Sequence, residues 1–280
     1  MLEIGRYNTL KVNKILSFGA YLDAGEGHDE ILLPTRYIPQ GLQPGDTIEV
    51  FVYRDSEDLL IATTETPLAQ VGELAYLKCV QTTDHGAFMD WGLLKDLLVP
   101  FREQKLPLEA GRHYWVYVYY DQLSQRIAGS TKLNKFFSNE ALELKENQEV
   151  ELLVIKKTDL GYSVLIDRQY WGMLYHNEVF KPLQVGEQLR GYVKKIREDQ
   201  KVDVSLQPQG YGAAIDENVA KLQYLLNEHG GYIALTDHSP AEAIYAMAEM
   251  SKKNFKKAVG ALYKAGQISI EEKGIRLKKP

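Results

Sequence analysis

Three short stretches carry the fold: Phe18-Gly19-Ala20-Tyr21-Leu22, His85-Gly86-Ala87-Phe88-Met89 and Leu160-Gly161-Tyr162-Ser163-Val164. Each puts a glycine at the head of a short run of alternating apolar and polar character, the period-two mark of a half-buried strand. Working outward from them, the landmarks repeat in register. Fourteen residues before the anchor glycines stand Gly5, Gly72 and Asn147, residue types that accept the left-handed turn conformation. An alternating strand follows each, seen as Leu10-Lys11-Val12, Leu77-Lys78-Cys79 and Leu152-Leu153-Val154. Turn glycines return 25 or 26 residues after the anchors, at Gly45, Gly111 and Gly186, and sixteen residues beyond those a closing strand opens at Ile61, Ile127 and Val202.

Between these landmarks lies a third, apolar strand: Ile31-Leu32-Leu33-Pro34, Leu97-Leu98-Val99-Pro100 and Met173-Leu174-Tyr175. Each unit thus reads as five short strands in roughly seventy residues, which predicts a small closed or Greek-key barrel of the OB type, because closure removes edges that would otherwise pair with other chains. Strand count alone leaves open a generic barrel array of SH3-like type with a protein partner, since a fold does not dictate a function.

After Gln207-Pro208-Gln209-Gly210 the alternation stops and a helical period begins. A first helix near Asp216 to Glu228 repeats Val219, Leu222 and Leu226 and ends at Gly230-Gly231. A second starts at Ser239-Pro240-Ala241-Glu242, with serine as cap and Ile244 and Met247 as its buried face. A third follows Ser251 as cap, with Phe255, Val259, Leu262 and Tyr263 as one apolar stripe, and stops at Gly266. Lys253, Lys257 and Lys264 fall opposite that stripe, and Lys252 and Lys256 on its flank. Residues 267–277 read as a hairpin with Gly274 in the turn. Three helices and a hairpin wing predict a winged helix, a relative of the helix-turn-helix. The domains predicted are 1–66, 67–141, 142–210 and 211–280.

A chain of 280 residues exceeds the usual single core, in keeping with several modules. No run of about 18 apolar residues is present to cross a bilayer, and Met1 to Tyr7 carries charge and glycine in place of a secretory signal, so a cytoplasmic location is expected. The one cysteine, Cys79, sits in an apolar strand and reads as a small buried hydrophobe. Net charge is −5, but it is graded: −6 over residues 1–66, zero over 67–141, −1 over 142–214 and +2 over 215–280. There is no phosphate-cradling Gly-x-x-x-x-Gly-Lys, no His-Glu-x-x-His and no Gly-x-Ser-x-Gly, and Gly25-Glu26-Gly27 reads as a plain loop. The six histidines, His28, His85, His113, His176, His229 and His238, lack metal-ligand spacing. No enzyme, metal or cofactor is expected.

The patterns Phe18-Gly19-Ala20-Tyr21 and His85-Gly86-Ala87-Phe88, with the apolar-Pro strand, the turn glycine and Asp121 to Arg126-Ile127, resemble the S1 RNA-binding domain, an OB-fold family; the second copy carries the pattern most fully. With the C-terminal segment, the chain resembles the conserved virulence factor B (CvfB) family, which joins tandem S1 domains to a winged helix. The resemblance implies a multidomain, mainly β protein with an α/β C-terminus: three tandem OB-fold, S1-type five-stranded barrels, then a winged-helix domain. It implies RNA binding and a regulatory role in gene expression, without catalysis.

In S1 domains the RNA face is formed by aromatics before and after the anchor glycine, a residue ending the third strand, and polar or basic residues near the last turn. Exposed rings stack bases and nearby cations hold the backbone. Carried onto this chain, the first copy offers Phe18, Tyr21 and Pro34 with Asp55 and Leu60; the second His85, Phe88, Pro100, Asp121 and Arg126; the third Leu160, Ser163, Tyr175, Arg197 and Lys201. Copy one has rings but a leucine at the basic position, which suits packing or a protein contact. Copy three lacks both anchor aromatics yet offers Tyr175, His176, Lys194, Lys195, Arg197 and Lys201. The expected partner is single-stranded RNA, with the lysines of the third C-terminal helix, Lys253, Lys257 and Lys264, completing the surface. Two alternatives remain: a transcriptional regulator whose winged helix binds duplex DNA, and a protein-interaction scaffold. Oligomeric state is left open.

Overall fold

The computed structural model describes residues 2–25, 27, 29–179, 182–208 and 213–278, without the side chains of 213–217. Glu26, His28 and the Gln209-Gly210 part of the boundary read above lie outside the described residues. The chain divides into two compact units, 1–136 and 137–280.

In the first unit, β1 (Tyr7–Leu16), β2 (Gly19–Asp23), β3 (Ile31–Pro34), β4 (Thr47–Arg54) and β5 (Leu60–Thr63) close into a barrel in the order β1-β2-β3-β5-β4. β6 (Leu74–Thr83), β7 (Gly86–Asp90), β8 (Leu97–Pro100), β9 (His113–Asp121) and β10 (Arg126–Ser130) follow the same order, but no hydrogen-bonded ladder joins β8 to β10. The second module is therefore a five-stranded sheet open along that one seam. The edges nonetheless lie close, since a Cβ on Gly129 of β10 would meet side chains of Val99 and Leu97 on β8 at 2.8 and 3.2 Å. In the second unit, β11 (Glu149–Thr158), β12 (Gly161–Ile166), β13 (Tyr170–Tyr175), β14 (Gln188–Ile196) and β15 (Val202–Ser205) form another closed barrel.

The repeated landmarks have one physical cause each. The anchors must be glycine: a Cβ on Gly19, Gly86 or Gly161 would lie 2.2, 2.4 or 2.1 Å from the carbonyl oxygen of Leu33, Val99 or Leu174 on the paired strand. The earlier turn residues Gly5, Gly72 and Asn147 are left-handed, and their N–H groups donate to Val52, Val118 and Val193, which ties each barrel's entry to its fourth strand. Gly45, Gly111 and Gly186 donate to Val12, Cys79 and Val154, each beside a β-bulge in the first strand. The bulge kinks the long first strand so that it pairs with β2 on one side and β4 on the other, and likewise in each copy. Cys79 is fully buried in the second core, among Leu77, Met89, Val99 and Val116.

The two modules of the first unit share a core. Phe51 and Tyr53 of β4 pack with Trp91, which follows β7; Phe51 is fully buried and meets Trp91 edge-to-face at 5.8 Å and Tyr7 at 5.7 Å. Val71 N–H donates to the Gly5 carbonyl, and Leu68 N–H to that of Trp91. The second unit starts at Phe137 rather than at residue 142. Its first residues clamp Trp171 of β13: the indole N–H donates to the Phe137 carbonyl at 3.1 Å, and Asn139 bonds the Trp171 backbone in both directions.

The C-terminal module has α1 (Ala213–Glu228), β16 (Tyr232–Ile233), α2 (Ala241–Ala248), α3 (Lys252–Lys264), β17 (Ile268–Glu271) and β18 (Gly274–Leu277), with sheet order β16-β18-β17. Leu222, Leu226, Ile244, Phe255, Val259 and Leu262 form its core. Ser251 caps α3 by accepting the Asn254 N–H at 3.1 Å. Four expectations are corrected here. Ser239 does not cap α2; its hydroxyl accepts from Thr236 N–H, and Pro240 occupies the cap position. Met247 is exposed, and Ala248 and Met250 fill the space expected for it, because α2 ends in a left-handed turn at Glu249 that carries Met250 back into the core. Tyr263 is also exposed, 54% open, at the margin of the buried face of α3. The wing turn is Glu272-Lys273, with Gly274 as the first strand residue, where any side chain would strike the Ile233 carbonyl.

Candidate nucleic-acid interface

On the second module, β7 carries Phe88 half-buried, paired across to Gln81 and Leu98, while His85 is exposed in the turn before it. Gly86 forces that tight turn, and the period-two strand then directs Ala87 and Met89 inward and Phe88 outward. Pro100 ends β8, and Asp121 and Arg126 flank the β9–β10 turn. All five positions line one cleft of about 730 Å³. Across it stand residues of the first barrel, Tyr53, Arg54, Ser56 and Asp58.

Its cations are engaged. Arg126 is ion-paired with Asp58 of the first barrel, and Arg102 with Asp121 at 2.7 Å. The Lys95 ammonium donates to the carbonyls of Arg54 and Asp55, and Arg54 donates to the Gln125 carbonyl at 3.0 Å and to the Asp58 carbonyl at 2.6 Å. The Arg126 hydrogen bond holds the Asp58 carboxyl below its ordinary pKa. Burial pushes Asp121 up, but bonds from the Ser124 hydroxyl and the Leu123 N–H and the charge of Arg102 outweigh it, leaving the group below the usual range. Partial burial lowers Lys95.

The first barrel presents Phe18 at 73% exposure before β2, and Tyr21 half-buried on β2 with the Lys14 ammonium 5.0 Å from its ring centre. Lys14 is itself paired with Glu30 at 2.5 Å, and Asp55 is spent on its own turn, accepting N–H groups from Glu57 and Leu59. In the third barrel Tyr175 and Arg197 are brought together. The guanidinium donates to the Tyr175 hydroxyl at 2.5 Å, lies 5.9 Å from the ring centre, and grips Asp203 with two nitrogens. Tyr175, Leu160, His176, Lys194 and Asp203 line a shallower hollow of about 520 Å³. Lys201 does not line it; it pairs with Asp199 at 2.6 Å at the hairpin tip. Lys253 and Lys264 are exposed on α3, Lys257 is half-buried, and Lys256 reaches Asp237 at 3.6 Å.

Two features escaped the sequence reading. Arg54, Asp58 and Tyr53 come to the cleft from a neighbouring module, so no local spacing reports them. Lys156 is exposed directly across from Ser163, the third copy's stacking position, and has no carboxylate within ion-pair distance among the described residues. It stands five residues before its anchor glycine, as Lys14 and Gln81 do, so aligning the internal copies finds it. Beneath the face, Glu103 accepts from Ser130 and Lys135 at 2.7 Å each, and Glu178 takes Ser205 at 2.7 Å and Lys194 at 2.5 Å, a strut common to the second and third modules.

Three modules of one strand order, two closed and one open along a seam, followed by three helices and a hairpin, make a tandem array of OB-type barrels with a winged-helix end. An S1 domain model matches residues 4–65, and a CvfB-like winged helix domain model matches residues 220–277. The S1 match falls on the first copy, although the second carries the motif residues most fully. Over most of its length the chain is similar to proteins named conserved virulence factor B: that of Staphylococcus epidermidis is 26% identical over 84% of this chain and 81% of its own length, and that of Staphylococcus haemolyticus 25% identical over 94% and 91%. The uncharacterized protein YitL of Bacillus subtilis is 27% identical over 95% of this chain and 91% of its own. A multidomain protein with nucleic acid binding domains from Streptococcus pneumoniae, of known crystal structure, aligns over 98% of both chains at 22% identity with a TM-score of 0.43.

Proposed function

We propose that this chain is a non-catalytic, cytoplasmic nucleic-acid-binding protein that takes single-stranded RNA and regulates gene expression at the RNA level. The observation that carries the reading is the convergence of His85, Phe88, Pro100, Asp121 and Arg126 on one cleft. A half-exposed phenyl ring with an imidazole and cations around it suits base stacking beside phosphate contacts, the chemistry of single-strand recognition. The third barrel adds Tyr175 with Lys156 and Lys195, and the winged helix adds Lys253, Lys257 and Lys264. Among the described residues no helix is long and apolar enough to cross a membrane, and no cluster suited to a metal ion is found.

The test is binding to matched single-stranded RNA and duplex DNA across a salt series, because each phosphate contact adds to the slope of log affinity against log salt. Tighter retention of the single strand is expected. Tighter retention of the duplex would replace this reading with a DNA-binding regulator acting through the winged helix, and retention of neither would favour a protein scaffold.

A further inference from the structure

The β4–β5 turn of the first barrel lines the same cleft as the second module's ring and cation positions. Its tip residue Asp58 is left-handed, with φ +62°, and its carboxylate meets Arg126, the cation at the second module's phosphate position. The turn is fixed there by other bonds: Lys95 to the Arg54 and Asp55 carbonyls, Arg54 to the Gln125 carbonyl, and the Phe51–Trp91 core beneath. Both members of the ion pair remain substantially open, 56% for Arg126 and 42% for Asp58, so a ligand can reach them. Arg54 and Lys95 also line the cleft at this end, so an anion at Asp58's position would face three cations.

We propose that Asp58 is an internal stand-in for a ligand phosphate: the first barrel supplies the second module's cleft with a competing carboxylate, and single-stranded RNA engages Arg126 only by displacing it. This rests on the reading of the second module's cleft as a single-strand site. It also gives the acidic first barrel a role in binding without requiring it to hold RNA itself. An exposed pair of this kind is weak, so a polyanion can overcome the competition, yet its loss is large enough to measure. When a phosphate replaces Asp58, one ion pair is exchanged for another, and the salt dependence of that contact is largely cancelled.

Asp58→Asn tests this in the full chain, because asparagine keeps the shape and tolerates the left-handed backbone, while removing the charge. Asp58→Gly serves as a second variant suited to the same conformation. With a single-stranded oligoribonucleotide as probe, both should bind tighter, by up to about fivefold, the most that an exposed ion pair contributes. The salt slope should steepen by about 0.7, one single-strand phosphate contact. In an Arg126→Ala background the same substitution should bring little or no gain. Unchanged or weaker binding by Asp58→Asn, with Phe88→Ala still harmful, would overturn the competition and leave the cleft reading standing, the pair then being a strut between barrels. If Phe88→Ala and Asp58→Asn both left binding unchanged, the cleft reading itself would fall and the competition with it.

Discussion

Replacing Phe88 by alanine separates binding from folding. Phe88 is half-buried on β7, outside the inward set of Ala87 and Met89, and its ring lies over the cleft between Gln81 and Leu98 of the flanking strands. Cutting it back leaves the core of Leu77, Cys79, Met89, Val99, Val116 and Val118 intact, so thermal unfolding of the first unit should move little. The loss to binding is one stacked base, about 1 to 3 kcal/mol, or roughly five- to 150-fold in Kd for a single strand. The salt slope should stay as it was, because every phosphate partner remains in place. Adding Arg126→Ala should lower the slope by less than the 0.7 or so of an ordinary phosphate partner, since Asp58 already occupies that guanidinium. Fluorescence anisotropy of a labelled oligoribonucleotide at several salt concentrations reads both quantities. Normal unfolding with unchanged affinity would remove this cleft from the binding surface.

Lys156→Ala with Lys195→Ala should flatten the salt slope by about 0.7 for each phosphate no longer held, while Lys201→Ala, already paired with Asp199, should change it less; equal effects from all three would contradict the assignment. The separated unit 137–280, with 20 basic against 20 acidic side chains, should retain more RNA affinity at moderate salt than unit 1–136, with 13 against 18, as binding isotherms of the two would show. Phe51→Ala should destabilise unit 1–136 by about 3 to 5 kcal/mol, because it empties the shared core of the first two modules, and calorimetry should show that unit unfolding at lower temperature. Burial raises the Glu103 carboxyl, but Lys135 and Ser130 more than offset this and hold it below the ordinary carboxylate range. Its stabilisation is therefore full above the unfolded pKa near 4.3 and lost as pH falls through the folded value, so Lys135→Met should move acid unfolding to higher pH; an unmoved acid midpoint would refute the strut.

The barrels were legible because their landmarks are backbone requirements. A glycine that must admit a carbonyl at 2.4 Å or below cannot vary, so Gly19, Gly86 and Gly161 mark the second strand of each copy directly. Likewise, the alternation around Leu77 and Cys79 records one buried face. The rings before and after the first two anchors, Phe18 and Tyr21, His85 and Phe88, were legible for the same reason, their place in the pleat being set by the glycine. What stayed hidden depends on distant pairing. The open β8–β10 seam has no local signal, and neither do the Arg126–Asp58 pair, with partners 68 residues apart, or the Arg197–Tyr175 hydrogen bond. Helical spacing also overcounted the core of the winged helix: Met247 and Tyr263 fit the period but lie at the edge of their helices' buried faces, where neighbours do not reach.

The most direct measurement is a residue-resolved crosslinking map of photoactivated single-stranded RNA bound to the intact chain. Stacked bases react with the side chains they touch, so adducts are expected at Phe88 and His85 in the cleft and at Tyr175 on the third barrel, with those at Phe88 lost when excess unlabelled RNA competes. Adducts confined to α3 and the wing, with the cleft unmarked at saturating RNA, would contradict the account.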